Sequence, residues 1–262
     1  MTESGNVQSR FEYQIRKWKR GVSARLALLS RRFDPLLKAE EPLARMEYRD
    51  GAPAEDLIVF LPGIGDVADD FERQGFIADI RGHGIVADAV AVDAHYGYYA
   101  SRTIHTRIAE DVVASAREIG YERIWLAGIS LGGFGAASYA AIHGAHIAGL
   151  LLFAPYLGGK ELVQEIKGAG GVGNWEPGER SAEDYPRALW TWLKNNARNR
   201  DAGLPIYLGY GNSDMFRNAH ALLADLLPEN RVHCIPGGHD WRTWRRLWQA
   251  MLPAWRRTSF QD

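Results

Sequence analysis

The sequence predicts a single α/β domain, a mostly parallel central sheet flanked by helices and carrying a small insertion. Three observations predict it. From about residue 56 onward, short apolar runs alternate with amphipathic stretches. The apolar runs lack polar alternation, as strands buried on both faces do. The stretches between them can supply the crossover helices that parallel strands require.

Residues 1–50 read as an N-terminal helical extension and residues 51–262 as the main domain. Residues 1–9 are polar and should fray. Phe11, Ile15, Trp18, Val22, Leu26 and Leu29 then recur at three- and four-residue steps, the period of an amphipathic helix. Arg10, Arg16, Lys17, Lys19, Arg20, Arg25, Arg31 and Arg32 stand against Glu12 alone over 10–32. A helix of this kind could make peripheral contact with an anionic membrane or an acidic partner. The reading we favour packs it on the main domain with its charges solvated. Leu26-Ala27-Leu28-Leu29 is too short for a secretory h-region of ~7–15 residues. A cytoplasmic protein, with or without that peripheral contact, is the expectation.

In the main domain, Leu57 to Leu61 is an aliphatic run that stops at Pro62-Gly63. Ile85 to Val92 is the second strand expected, and Ile108 to Ile119 has helical periodicity. Arg123 to Ala127 is the third strand, with a helix of small residues from Leu131 to about His143. Ile147 to Phe153 is the fourth strand, ended by Pro155. Leu204 to Tyr210 is the fifth, followed by a helix over 219–227. Arg231 to Ile235 is the sixth, and a helix from about Trp241 to Leu252 carries a Trp241/Trp244/Trp248 stripe suited to core packing. Residues 158–202 separate two strand runs by 45 positions, longer than connections usually are. They are expected to form a cap over the functional edge of the sheet, with glycines 168–173 as a flexible loop.

Composition removes several classes of function. Hydrophobic residues are 46% and charged residues 24% of 262, an ordinary globular mix. The net charge of −1 argues against nucleic acid as a partner. Cys234 is the single cysteine, so the chain makes no internal disulfide. No apolar run approaches the ~18 residues of a membrane span. His143 and His146 lack acidic or cysteine companions and H-E-x-x-H is absent, so no metal site is expected. Gly168 to Gly173 matches G-x-G-x-x-G, but helix-like Glu161–Lys167 precedes it where a dinucleotide site needs a strand.

Gly128-Ile129-Ser130-Leu131-Gly132 matches G-x-S-x-G and falls between an expected strand and an expected helix. That is the setting of a nucleophile elbow, where a serine on a sharp turn needs neighbours without side chains. Asp214 follows the fifth strand in Tyr210-Gly211-Asn212-Ser213-Asp214. His239 follows the sixth in Pro236-Gly237-Gly238-His239.

With these residues the sequence resembles the α/β-hydrolase superfamily over roughly residues 50–257. The resemblance implies the order nucleophile, acid, histidine, which Ser130, Asp214 and His239 follow at separations of 84 and 25 residues. Serine needs an adjacent base to attack, histidine takes and returns the proton, and the carboxylate orients the imidazole. Asp93, at the end of the second strand, is the alternative acid. The resemblance further implies an oxyanion hole from the Leu131 N–H and the loop Leu61-Pro62-Gly63-Ile64-Gly65-Asp66, with Ile64 as donor and Gly65 as second choice. In that loop leucine-proline replaces the family's commoner histidine before glycine. Tyr96, Tyr98, Trp175 and Trp241 are candidates to line a pocket. The implied reaction is hydrolysis of a small-molecule carboxylic ester through an acyl-enzyme, without a cofactor. Acyl transfer or thioester cleavage on the same residues are the alternatives within enzymes. A non-catalytic binding module or a membrane-surface module is the alternative outside them.

Overall fold

Aliphatic runs become strands here because both faces of the sheet are covered. The computed structural model describes residues 3–30, 39, 42–51, 54–178, 184–199 and 202–259. Among them a seven-stranded sheet forms from β1 (Arg45–Tyr48), β2 (Asp56–Leu61), β3 (Asp88–Val92), β4 (Arg123–Ile129), β5 (Gly149–Phe153), β6 (Ile206–Gly211) and β7 (Val232–Ile235). Its order is β1-β3-β2-β4-β5-β6-β7. β1 runs antiparallel to β3 and every other pair is parallel. Successive β2 side chains enter opposite apolar clusters: Leu57, Val59 and Leu61 one, Ile58 and Phe60 the other. Arg123 fixes the β2–β4 register by a two-pronged bond to buried Asp56, its residue partner across the ladder, at 2.8 and 2.6 Å.

Two strands depart from expectation by more than two residues. β1 belongs to the sheet, which therefore begins before residue 51. Arg-Met-Glu-Tyr has no apolar run because an edge strand is only half covered. β3 starts at Asp88 rather than Ile85. Gly84 turns the chain at φ 62°, and Val86 is 76% exposed, so the preceding residues close a helix.

The helices are α1 (Glu3–Ser30), α2 (Asp69–Arg73), α3 (Phe76–Gly82), α4 (Tyr96–Ala100), α5 (Ile104–Arg107), α6 (Ser115–Ile119), α7 (Leu131–His143), α8 (Lys160–Gly168), α9 (Tyr185–Arg198), α10 (Arg217–Ala224) and α11 (Trp241–Ser259). α5 runs through a π-helical stretch, Ile108–Ala114, into α6, so the expected helix begins four residues early. α10 begins at Arg217, not 219, and ends at Ala224. Among the described residues no helix is long and apolar enough to cross a membrane.

The 158–202 segment is not a separate cap in its described part. Leu162, Val163 and Ile166 of α8 and Leu189, Trp190 and Leu193 of α9 share one apolar cluster with β4, β5, β6 and α7. The Trp190 indole donates to Leu157 O at 2.7 Å. The glycines 168–173 are not a loose loop either. Gly170 N–H and Gly171 N–H bond back to Lys167 O and Ile166 O, and both residues have positive φ, so they close α8. Arg187 braces the segment with two bonds to Glu165, at 2.6 and 2.7 Å.

Helix α1 docks by the face the apolar periodicity does not mark. Tyr13, Arg16, Lys17 and Arg20 turn toward acidic side chains of the domain. Trp18 stands 67% exposed and Ile15 38% exposed. The charges of Arg16, Lys17 and Arg20 are thus paired rather than solvated, because the surface under α1 is acidic. Side chains of Phe11, Arg25, Leu26 and Leu29, and residues 31–32, lie outside the described residues.

Candidate active site

β4 delivers the chain to Ser130 at the carboxyl edge of the sheet. Ser130 takes φ 52° and ψ −112°, a left-handed strain that a serine bears only where packing enforces it. The glycines around it permit the turn. A Cβ on Gly132 would lie 2.1 Å from Leu61 O, and one on Gly128 2.4 Å from Gly132 O. Ser130 N–H donates to Phe153 O at 3.0 Å, and Ser130 O accepts from Phe134 N and Tyr156 N. The serine is held from β5, from the chain just after it and from α7, and is 8% exposed.

The loops after β6 and β7 bring the acid and the base to it. His239 Nε2 is 2.9 Å from Ser130 Oγ, and His239 Nδ1 is 2.8 Å from Asp214 Oδ2. The other Asp214 oxygen accepts the Phe216 N–H at 2.8 Å, which leaves the fully buried carboxylate bonded at both ends. Burial opposes its ionisation, but the bonds from His239 and Phe216 outweigh that and hold its pKa below the usual carboxylate value. Phe216 and Trp244 meet the imidazole edge-on at 5.3 and 5.1 Å and confine it. Asp93 does not reach His239. Its carboxylate pairs with Arg20 of α1 at 2.5 Å.

The Leu131 N–H opens α7 and so has no acceptor within the helix. The 62–66 loop lies against the elbow, where a Cβ on Gly63 would come 3.7 Å from Ser130 Cβ. Its turn is closed by Asp66 N–H to Gly63 O at 3.0 Å, with Ile64 and Gly65 at the two central positions. Trp241 donates to Asp66 Oδ1 at 3.0 Å and so reaches this loop. Tyr96 is half-buried in α4. Tyr98 and Trp175, expected to line a pocket, are 3% and 1% exposed and belong to the apolar core. Large aromatics in a long connection were as well suited to anchoring it as to meeting a ligand. Phe134, Tyr156 and Phe216 form an aromatic row beside the triad instead, with ring centroids 5.9 and 5.6 Å apart in succession and Phe216 against His239. No periodicity in the sequence marks them, since each stands two to four residues beyond a strand end or a site residue. Among the described residues no group of three His, Cys, Asp or Glu side chains could hold a metal ion. His143 and His146 stack on each other at 5.7 Å.

His220, which sequence reasoning passed over, lies behind Asp214 and is completely buried. Its Nε2 donates to Pro155 O at 2.9 Å. Burial pushes its pKa down to about 4, only partly offset by Asp214. An unfolded histidine protonates near pH ~6.5, whereas this one stays neutral in the folded chain to about 4. Its contribution to stability is therefore complete above about pH 6.5 and is lost progressively as the pH falls toward 4. Calorimetry between these limits is expected to show Tm falling by several degrees more for wild type than for His220→Gln, which cannot titrate. Equal slopes would contradict the assignment.

Comparison with known proteins agrees with this architecture. Est1E from Butyrivibrio proteoclasticus superposes with a TM-score of 0.59 at 17% identity, covering 84% of this chain and 95% of its own. The S-formylglutathione hydrolase FrmB from Staphylococcus aureus superposes with a TM-score of 0.56 at 15% identity, covering 77% and 81%. Identities this low speak for a shared fold. No curated protein matches the sequence. The alpha/beta hydrolase family model matches residues 58–262, from β2 through the elbow and both later loops, and the chain belongs to that family.

Proposed function

We propose that the protein is a serine hydrolase that cleaves a carboxylic ester through an acyl-enzyme. The observation that carries this reading is the continuous hydrogen-bonded line from Ser130 Oγ through His239 to buried Asp214, at 2.9 and 2.8 Å, beginning at a strained elbow serine. Ser130 Oγ attacks the ester carbonyl while its proton passes to His239 Nε2. The oxygen that becomes negative faces the N–H groups of Leu131 and Ile64. Collapse breaks the bond to the alkoxy oxygen, which leaves as the alcohol with the proton from His239. Water, deprotonated by His239, then attacks the acyl-enzyme and releases the acid and Ser130.

The aromatic row of Phe134, Tyr156 and Phe216 beside the triad favours an apolar acyl or aryl ester. The structural neighbours include an S-formylglutathione hydrolase, which supports hydrolysis as the reaction type. The test is labelling with a fluorophosphonate probe, wild type beside Ser130→Ala, with the modified peptide mapped by mass spectrometry. Label on Ser130 and none on the variant is expected. A folded wild-type protein that takes no label would overturn the reading and leave a binding module as the better one.

A further inference from the structure

Helix α1 docks on the loop expected to supply the second oxyanion donor. Lys17 Nζ lies 2.5 Å from Asp66 Oδ1 and 2.6 Å from Asp70 Oδ2. Arg16 meets Asp69 at 2.8 Å, and the Tyr13 hydroxyl donates to Asp70 at 2.9 Å. Arg20, 6% exposed, pairs with Asp93. Asp66, Asp69 and Asp70 fall within five residues of one another, and without α1 these three carboxylates would lose their Arg16 and Lys17 counterions.

Asp66 stands where this matters to the chemistry. A Cβ built on Gly63 would meet Asp66 Oδ2 at 2.7 Å on one side and Ser130 Cβ at 3.7 Å on the other. The carboxylate is thus one glycine away from the nucleophile. Its N–H closes the 63–66 turn, and its Oδ1 also accepts the indole of Trp241, two residues beyond His239. An unpaired carboxylate at that place would oppose the negative charge that develops on the substrate oxygen. Burial disfavours the Lys17 ammonium, but Asp66 and Asp70 more than restore it and raise its pKa.

We propose that Lys17 is a positioning residue of the catalytic site: acting through Asp66, it holds the 63–66 turn with Ile64 N–H aimed at the oxyanion and cancels the carboxylate's charge there. The helix read from sequence as an appendage is then part of the active enzyme. This rests on the serine-hydrolase reading.

The test measures kcat and KM on a p-nitrophenyl ester, with the rate of fluorophosphonate labelling alongside. Lys17→Met keeps the length of the side chain and removes its charge. It is expected to lower kcat and the labelling rate about 10- to 100-fold, less than the loss of a whole oxyanion donor, with KM nearly unchanged. Lys17→Arg is expected to recover most of the loss. Lys19→Met, on the exposed face of the same helix, is expected to match wild type. In an Asp66→Asn background, Lys17→Met is expected to cost kcat little further, because the charge beside the nucleophile is gone, while the loss of the Lys17–Asp70 pair shows in Tm alone. A folded Lys17→Met protein with a lower Tm and wild-type kcat would overturn the proposal and make α1 a structural staple. Should Lys17→Met alone not fold, a full further loss in the Asp66→Asn background would overturn it equally. Wild type without label or turnover would overturn the serine-hydrolase reading itself, and this proposal with it.

Discussion

Replacing Ser130 with alanine is expected to lower kcat about 10⁶-fold, and replacing His239 with alanine is expected to cost about as much. The two losses should not multiply, and the double variant is expected to be no slower than either single one. The reason is geometric. Among the described residues the base bonded to Ser130 Oγ is His239 Nε2 at 2.9 Å, so a serine without the imidazole cannot shed its proton and an imidazole without the serine has nothing to activate. On the proposed mechanism, what survives is binding together with the N–H groups of Leu131 and Ile64, which would still stabilise an oxyanion formed by direct attack of water. KM is expected to change little, since neither side chain holds the ground-state ester. The measurement is steady-state turnover of an activated aryl ester, with circular dichroism as the control for folding. Losses that multiply in the double variant, or single losses of only tenfold, would mean that the two residues do not act as one unit.

Much of this arrangement was legible in the sequence, for physical reasons that can be named. Strands β2, β4 and β5 were legible because burial on both faces leaves them no polar alternation. The elbow was legible because the turn excludes side chains at Gly128 and Gly132, and absence of side chain is a residue type. The placement of Asp214 and His239 beside Ser130 was expected from the family resemblance, which sets an acid and a histidine in the loops after two late strands. The rest was hidden where tertiary context reverses a local signal. Helix α1 carries a regular apolar stripe, yet Ile15 and Trp18 point outward. The surface it meets is the acidic cluster of Asp66, Asp69, Asp70 and Asp93, and ion pairs choose the face. Its members lie 49 to 73 residues beyond their α1 partners in the chain, so nothing local announced the pairing. β1 was hidden because half-covered edge strands carry charge. Tyr98 and Trp175 were misplaced because an aromatic side chain has the same signature in a pocket wall as in a core.

Asp214→Asn is expected to lower kcat about 10⁴-fold while the protein stays folded. The amide keeps the shape of the carboxylate but can turn a donor toward His239 Nδ1. The imidazole then carries its proton on Nε2, where it faces Ser130 Oγ as a donor and cannot act as base. Asp93→Asn is expected to do the opposite. It removes the partner of Arg20, whose side chain is only 8% exposed, and leaves a nearly buried guanidinium charge uncompensated. Breaking such a pair from one side costs about 3–5 kcal/mol of stability, and the loss should appear as a lower Tm, with a much smaller effect on kcat than Asp214→Asn has. Acid separates the two further. The Asp214 carboxyl titrates below its usual value, so its bonds to His239 and Phe216 contribute stability that is complete above about pH 4 and lost only as the pH falls further. Between pH 5 and 8, then, Asp214 stays charged and its variant reports on orientation of the imidazole alone. The decisive comparison is kcat and Tm for both variants at one pH in that range. Catalytic loss confined to Asp93→Asn, with Asp214→Asn active, would move the acid to Asp93 and require His239 to swing away from the carboxylate that holds it at 2.8 Å.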